Sequence, residues 1–275
     1  MVNFEITAFR RKLIQFFTAI LYNVWLPGFV NGKIYNGPLK GVCVPGLNCY
    51  SCPGALGSCP IGSLQDGLSF LRFRIPFYVI GTLTLFGIVF GRVVCGFLCP
   101  FGLIQEILYK IPSPKIKKSK YTRALSYLKY VILAVFVILL PIFLRRMSSA
   151  FCIYLCPVGI LEGTFFLLPT NPYLAELLGS YFVIKLSILI IVILASIIHI
   201  RPFCRYICPL GAIYALFAKW SFLGVKIDTD KCNNCNKCIR ICSFDIKKVG
   251  DSECIQCCEC VKQCPKEAIS FGIKY

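Results

Sequence analysis

The sequence predicts an α-helical membrane protein with four transmembrane helices, interfacial helices and a small α+β domain at the C-terminus. First, 57% of the 275 residues are hydrophobic and only 15% are charged, whereas soluble domains carry about 25% charged residues. Second, long stretches without charge recur along residues 1–224. Third, nine of the nineteen cysteines lie in the polar last 44 residues. We therefore expect a membrane domain at 1–224 and a separate domain at 225–275.

Four stretches are long and apolar enough to span a bilayer. A crossing helix needs about 20 apolar residues, or a few fewer where flanking Lys and Arg reach the interface. The stretches are residues 13–32, 75–91, 130–144 and 177–200, the last with a single Lys185. We expect each to form one transmembrane helix of a multi-pass protein of the cell membrane.

The distribution of Lys and Arg predicts the orientation of these helices. Residues 92–129 hold eight of these cations, whereas Arg145 and Arg146 are followed by almost none until Lys185. By the positive-inside rule, both termini and residues 92–129 lie in the cytoplasm, and residues 33–74 and 145–180 lie outside. We therefore attribute the formal charge of +18 to Lys and Arg residues that anchor the protein in the lipid bilayer. Nucleic-acid binding is not expected.

Two runs of cysteines near the C-terminus share the spacing C-x2-C-x2-C-x3-C. They comprise Cys232, Cys235, Cys238 and Cys242, then Cys254, Cys257, Cys260 and Cys264. This is the run of bacterial ferredoxins with two [4Fe–4S] clusters, in which each fourth cysteine binds the other cluster. We expect one cluster on Cys232, Cys235, Cys238 and Cys264, and a second on Cys254, Cys257, Cys260 and Cys242. Zinc is the alternative, but its sites usually show two separated cysteine pairs. Cys258 falls outside the spacing and is expected to be a buried thiol.

A second motif, C-x3-C-P-x-G, follows three of the apolar stretches. The copies begin at Cys95, Cys152 and Cys204, and a partial copy at Cys59 has Ala55 in place of its first cysteine. Cysteines four residues apart share one side of a helical turn, and proline favours the first turn of a helix. Each copy therefore predicts a span that ends, turns and starts an interfacial helix.

The predicted orientation sorts these cysteines into two further sites. Cys95, Cys99, Cys204 and Cys208 lie at the cytoplasmic ends of two spans and together offer the four thiolates of one cluster. On the outer side six cysteines compete for one cluster. We favour Cys52, Cys59, Cys152 and Cys156, with Cys43 and Cys49 as rivals. Packing or free thiols remain the alternative for the cytoplasmic pairs, and disulfides for the outer set.

Several blocks together resemble the membrane-bound polyferredoxins of the NapH, NosR and CcoG type. They are "CVPGLNCYSCPGALGSCPIGSLQ", "GRVVCGFLCPFGLIQ", "CRYICPLGA" and the two C-terminal runs. The resemblance implies iron–sulfur electron transfer but does not single out a member. NapH-like proteins are associated with quinol oxidation, NosR-like proteins carry a flavin domain, and CcoG-like proteins reduce copper. The flavin domain and a copper-binding cluster of methionines or histidines are not found in this sequence.

The expected function is electron transfer across the membrane through iron–sulfur clusters. A cytoplasmic ferredoxin or flavoprotein would exchange electrons at one face, and an extracytoplasmic redox protein, with a flavin-bearing one among the candidates, at the other. The direction of flow stays open. The alternative is a quinol-oxidising or quinone-reducing subunit that feeds a periplasmic reductase, with His199 near the cytoplasmic end of the fourth span as proton acceptor.

Overall fold

The computed structural model describes residues 8–69, 76–116, 118–144 and 149–274. The first helix, α1, runs from Ala8 to Tyr22 and buries Arg11 and Gln15. It is followed by α2 (Leu26–Asn31), a 3-10 turn at Pro38–Gly41 and α3 (Pro60–Ser69). The first expected span is thus divided after Tyr22, where α2 restarts with Pro27 in its first turn.

The middle of the chain forms one short apolar helix and one long one. Helix α4 (Phe77–Val89) leads into α5 (Val93–Phe97) and α6 (Pro100–Tyr109). Helices α7 (Lys120–Leu125), α8 (Leu128–Ile132) and α9 (Leu140–Phe143) are joined by a π-helical segment at Leu133–Leu139. Together they form the continuous helix Lys120–Phe143. Its π segment ends at Leu139, two residues before Pro141, which has no amide hydrogen to donate to the preceding turn.

The second half of the chain again alternates apolar helices with copies of the C-x3-C-P motif. Two π-helical segments, Phe151–Leu155 and Gly159–Thr164, precede α10 (Phe165–Leu167). Helix α11 (Pro172–Ile198) has a non-helical residue at Gly179, so its unbroken apolar part is Tyr181–Ile198. Helices α12 (Pro202–Tyr206) and α13 (Pro209–Phe217) complete this half.

Two helices among the described residues are long and apolar enough to cross a membrane. They are Lys120–Phe143, with 24 residues, and Tyr181–Ile198, with 18. The other two expected spans correspond to α1, with 15 residues, and to α4, with 13. Arg74, Arg145 and Arg146, which contributed to the predicted orientation, lie outside the described residues.

The C-terminal region contains a small sheet that packs on the membrane-domain motif helix α5. Strand β1 (Leu223–Ile227) pairs antiparallel with β2 (Ile269–Ile273), and β1 covers the expected boundary at 224/225. Helices α14 (Lys237–Ile241) and α15 (Glu259–Gln263) lie between the strands. Val93 and Phe97 of α5 share one apolar core with Phe271 of β2. This contact joins the cysteine runs to the motif that contains Cys95.

Candidate iron–sulfur centres

The two C-terminal cysteine runs line two separate cavities. One is lined by Cys242, Cys254, Cys257 and Cys260, here called the proximal set, and also by Cys258. The other, open to solvent, is lined by Cys232, Cys235, Cys238 and Cys264, here called the distal set. The fourth cysteine of each run therefore lies with the first three of the other run. This is the grouping that the spacing predicts, and iron ligation by these cysteines stays a prediction.

The two runs fold locally in the same way. Asn234 and Asn236 have positive φ angles of 55° and 56°, and the equivalent Gln256 and Cys258 have 59° and 63°. Left-handed residues at these two positions turn the chain sharply between successive cysteines. Cys258 is buried, and its Sγ atom donates to Gln256 O at 3.4 Å. That contact is consistent with the expected buried thiol.

Four cysteines of two C-x3-C-P copies come together beside the proximal set. Cys95 lies in α5 and Cys204 in α12, while Cys99 and Cys208 precede Pro100 and Pro209 at the starts of α6 and α13. We call these four the inner set. Burial raises the pKa of the Cys208 thiol well above its usual value, and the other three thiols raise it further. The two motifs, far apart in sequence, thus converge as predicted.

The remaining motifs and the loop before them form a second group of thiols, all partly buried. It contains Cys49, Cys59, Cys152 and Cys156, here called the outer set. Burial raises the pKa of the Cys156 thiol, and the other three thiols raise it further. The sequence-based choice of Cys52 differs from this grouping: the Cys52 thiol donates to Asn23 Oδ1 at 3.2 Å. Cys43 lies apart from the group, with its thiol near Ser63 and Thr82.

Glu162 helps to place Cys49 in the outer set. Its Oε2 atom accepts a hydrogen bond from the Cys49 backbone N–H at 2.8 Å. Glu162 follows Cys156 by six residues, so it fastens the first motif to the third. Burial raises the pKa of its carboxyl to about 7.

The inner and outer sets are joined by a short piece of chain. The Leu47 backbone forms a hydrogen bond with the Cys99 thiol, and Cys49 follows two residues later. Two residues span at most about 7 Å. A Cβ atom on Gly46 would lie 2.8 Å from Leu98 O and 3.2 Å from Cys99 Cα, which shows how closely this loop approaches the inner set.

The inner and proximal sets are also in contact. Gly96, next to Cys95, lies against Ile255 O, and a Cβ atom on Gly96 would overlap that oxygen. Arg92 bridges the same gap. Its NH1 atom lies 3.8 Å from Cys95 Sγ, and its Nε donates to Ser252 O at 2.8 Å.

Buried ion pairs surround the inner set and fix the two parts of the chain together. Glu253 contacts Lys129 Nζ at 2.6 Å and Arg92 NH2 at 3.3 Å. Glu106 contacts Arg11 at 2.7 Å and Arg201 at 2.8 Å. From the sequence, Arg92 and Lys129 were expected only to orient the helices in the membrane. Their pairing with Glu253 was not predicted. Buried cations favour negative charge on nearby thiolates.

The donor groups fit iron–sulfur clusters. All nineteen cysteines are free thiols, and burial raises the pKa of Cys204 and Cys257 to about 12. Such thiols ionise only when a cationic metal core compensates the charge. In the part of the chain that the structure describes, no three His, Cys, Asp or Glu side chains converge on a point for one ion. The C-terminal thiols instead surround cavities, as a cube with one cysteine per iron requires.

Comparison with known proteins agrees with this chemistry. The model of the family described as "4Fe-4S binding domain" matches residues 58–78, 76–119, 129–171 and 182–228, which together make up more than half of the chain. The chain belongs to this 4Fe-4S binding family. The four matches correspond to the four copies of the membrane-domain motif, so the repeat noticed in the sequence is the family's own unit.

Relatives support the same assignment. An uncharacterized protein of Methanocaldococcus jannaschii is 35% identical over 214 residues, covering 72% of this chain and 77% of that protein. The ferredoxin-type protein NapH of Haemophilus influenzae is 25% identical, with 87% of this chain and 84% of that protein covered. The methylamine utilization ferredoxin-type protein MauN of Methylobacillus flagellatus is 23% identical, with 84% and 74% covered. No solved structure matches. This 4Fe-4S protein is an iron–sulfur electron-transport protein of the NapH and MauN type.

His199, the expected proton acceptor if the chain reacts with quinone, is buried and hydrogen-bonded in this 4Fe-4S protein. Its side chain is 6% exposed. Its Nε2 atom lies 2.6 Å from Tyr206 Oη and 3.1 Å from Arg205 NH1. Burial lowers the pKa of the imidazole to about 4. These contacts favour a structural role.

Proposed function

We propose that this chain conducts electrons across the membrane through four [4Fe–4S] clusters, one on each set of four cysteines. The observation that carries the proposal is the order of the sets. The distal and proximal sets share one small domain, Gly96 joins the proximal set to the inner set, and residues 47–49 join the inner set to the outer set. When bound, each cluster supplies one-electron exchange at its site.

The protein buries several of these thiols and supplies hydrogen bonds to some of them. Main-chain N–H groups contact sulfur, as Gly211 N contacts Cys208 Sγ at 3.3 Å. Two guanidinium groups reach the inner set: Arg92 NH1 lies 3.8 Å from Cys95 Sγ, and Arg201 NH1 donates to the Cys95 carbonyl oxygen. Such contacts stabilise the negative charge of thiolate-bound iron and hold the sets in place.

The distal set is the entrance or exit for a soluble partner. Cys235 is exposed, and the distal cavity is rimmed by four exposed lysines, Lys237, Lys247, Lys248 and Lys266. A positive rim accelerates encounter with an acidic protein. A cytoplasmic ferredoxin or flavoprotein with an acidic face fits this surface.

The opposite end of the row lies at Cys49. Cys49 is partly buried and the following Tyr50 is 55% exposed, so the outer set approaches the surface there. An extracytoplasmic redox protein, flavin-bearing or not, would exchange electrons at this end. The two apolar helices Lys120–Phe143 and Tyr181–Ile198, which are long enough to cross a bilayer, support a position of the row within a membrane.

Sealed vesicles test the proposed function. The full-length protein is reconstituted with cytochrome c trapped inside and titanium(III) citrate, which does not cross lipid, added outside. We expect the trapped cytochrome to be reduced by the wild type and by Cys43→Ala, a matched loss of a buried thiol that lies apart from the four sets, but not by Cys99→Ala. Reduction no faster than in empty vesicles, with full iron content, would contradict the proposal. Strict dependence on an added soluble quinone would favour the quinone-reactive alternative.

A further inference from the structure

Two glutamines occupy equivalent positions in the first two motif copies. Gln65 follows Cys59 by six residues in "CPIGSLQ", and Gln105 follows Cys99 by six residues in "CPFGLIQ". Both side chains are completely buried, with 0% and 1% exposure. A buried amide is costly unless its donors and acceptor are all paired, so their partners reveal what they do.

The two amides make the same contacts with different sets. Gln65 Nε2 donates to Cys152 Sγ at 3.2 Å, and its Oε1 accepts from the Phe151 N–H at 2.9 Å. Gln105 Nε2 donates to Cys204 Sγ at 3.0 Å, and its Oε1 accepts from the Phe203 N–H at 3.1 Å. Each glutamine therefore forms hydrogen bonds with a cysteine of another motif and with the backbone of the residue before that cysteine.

A third contact fixes the orientation of each amide. Gln65 Nε2 also donates to Ile61 O, and Gln105 Nε2 to Phe101 O, both at 3.3 Å. With the amide reversed, an oxygen would face a carbonyl and a sulfur, and an NH2 group would face a backbone N–H. Only the observed orientation satisfies the whole arrangement.

The same position carries no amide in the other two motif copies. Glu162 follows Cys156 by six residues, and Tyr214 follows Cys208 by six. Glu162 accepts from the Cys49 N–H, and Tyr214 donates to Pro45 O at 2.9 Å. The sixth position thus fastens one motif copy to another through Gln65 and Gln105, and fastens a copy to the loop before Cys59 through Glu162 and Tyr214. Among these four residues, only Gln65 and Gln105 contact a sulfur through an amide, one for each membrane-domain set.

We propose that Gln65 and Gln105 are positioning residues that raise the reduction potentials of the outer and inner clusters, respectively. The inference rests on the proposed function, because it requires clusters on both sets. An N–H group directed at a thiolate stabilises negative charge on sulfur, and that charge is greater in the reduced cluster. Removing the amide donor therefore disfavours reduction of the cluster that the glutamine contacts and leaves the other unchanged.

Redox titration followed by EPR tests this in the full-length protein. Gln65→Met and Gln105→Met retain length and remove the donor. We expect each to weaken reduction of one membrane-domain cluster about tenfold, a downward shift of about 59 mV for a one-electron couple. Gln65→Met should shift only the signal that Cys152→Ala removes, and Gln105→Met only the signal that Cys204→Ala removes.

Gln15 provides the matched control. It is a buried glutamine whose Nε2 atom donates to Cys99 O and not to a sulfur, so Gln15→Met should leave all midpoints unchanged. If a methionine variant loses its cluster, the corresponding Gln→Leu variant, which also removes the N–H donor and adds no charge, must show the shift. Wild-type midpoints at full iron content, or equal shifts of both signals, would overturn the inference. A wild type with only the two C-terminal clusters would instead refute the proposed function.

Discussion

Replacing Glu253 with glutamine is expected to release the C-terminal domain from the membrane domain. Glu253 faces Lys129 Nζ at 2.6 and 2.7 Å and Arg92 NH2 at 3.3 Å, and all three side chains are buried. Glutamine retains the shape but leaves two buried cations without their anion. Breaking a buried ion pair by removing one partner costs about 3–5 kcal/mol, because the remaining charge has no water to solvate it.

Limited proteolysis of the connection at 218–222 measures this release. We expect cleavage of Glu253→Gln to be at least about a hundredfold faster, since about 3 kcal/mol corresponds to that change in the open population. Glu259→Gln is the control, because Glu259 is exposed and surface substitutions usually change stability little. Equal cleavage rates for Glu253→Gln and the wild type would show that this ion cluster does not hold the domains together.

Replacing Gly96 with alanine is expected to slow electron transfer between the proximal and inner sets. The added Cβ atom would overlap Ile255 O, which is backbone and has no flexible end to move aside. The loop that contains Cys254 and Cys257 must then move away from α5. Overpacking of this kind costs about 1–3 kcal/mol, and tunnelling falls steeply with the added separation.

Rapid-mixing reduction of the purified protein measures this step. With a reductant that enters at the distal set, we expect the proximal signal of Gly96→Ala to appear at the normal rate and the inner signal to appear late. Gly81→Ala in α4 is the matched control, because a Cβ atom there meets nothing within 4 Å. Unchanged kinetics in Gly96→Ala would mean that electrons do not pass at this contact.

Spacing alone gives the grouping of the C-terminal cysteines, and their binding of iron stays a prediction. A C-x2-C-x2-C run lets three cysteines of one short loop face the same cavity, and the fourth cysteine follows on the next turn. The two cavities contain these groups. The C-x3-C-P copies were likewise informative, since Pro100 and Pro209 open helices α6 and α13 as expected.

The choice among the outer cysteines could not be made from spacing. Residues 43–59 form an irregular loop, so no helix or strand periodicity indicates the direction in which each of its thiols points. In the structure, the Cys52 thiol donates to Asn23 and Glu162 accepts from the Cys49 backbone N–H, and these contacts favour Cys49 over Cys52. The sequence does contain one indication: a polar residue lies six positions after the cysteine that precedes proline in each motif copy. Glu162 is one of these residues.

The basic residues show why the orientation could not be settled by counting charges. Arg92 and Lys129 counted toward the cytoplasmic loop, yet both are buried against Glu253. Arg123, another member of that loop, pairs with Asp251 at 3.2 Å. These cations serve domain docking, which a rule about loops in water does not foresee.

Counting iron and acid-labile sulfide in the purified full-length protein tests the central claim most directly. Four clusters predict about sixteen irons per chain, with about twelve in Cys49→Ala and about sixteen in Cys52→Ala, because only Cys49 belongs to the outer set. About eight irons in the wild type would contradict the claim by leaving the two C-terminal clusters alone. Loss of iron in Cys52→Ala but not in Cys49→Ala would contradict the outer set as the structure arranges it.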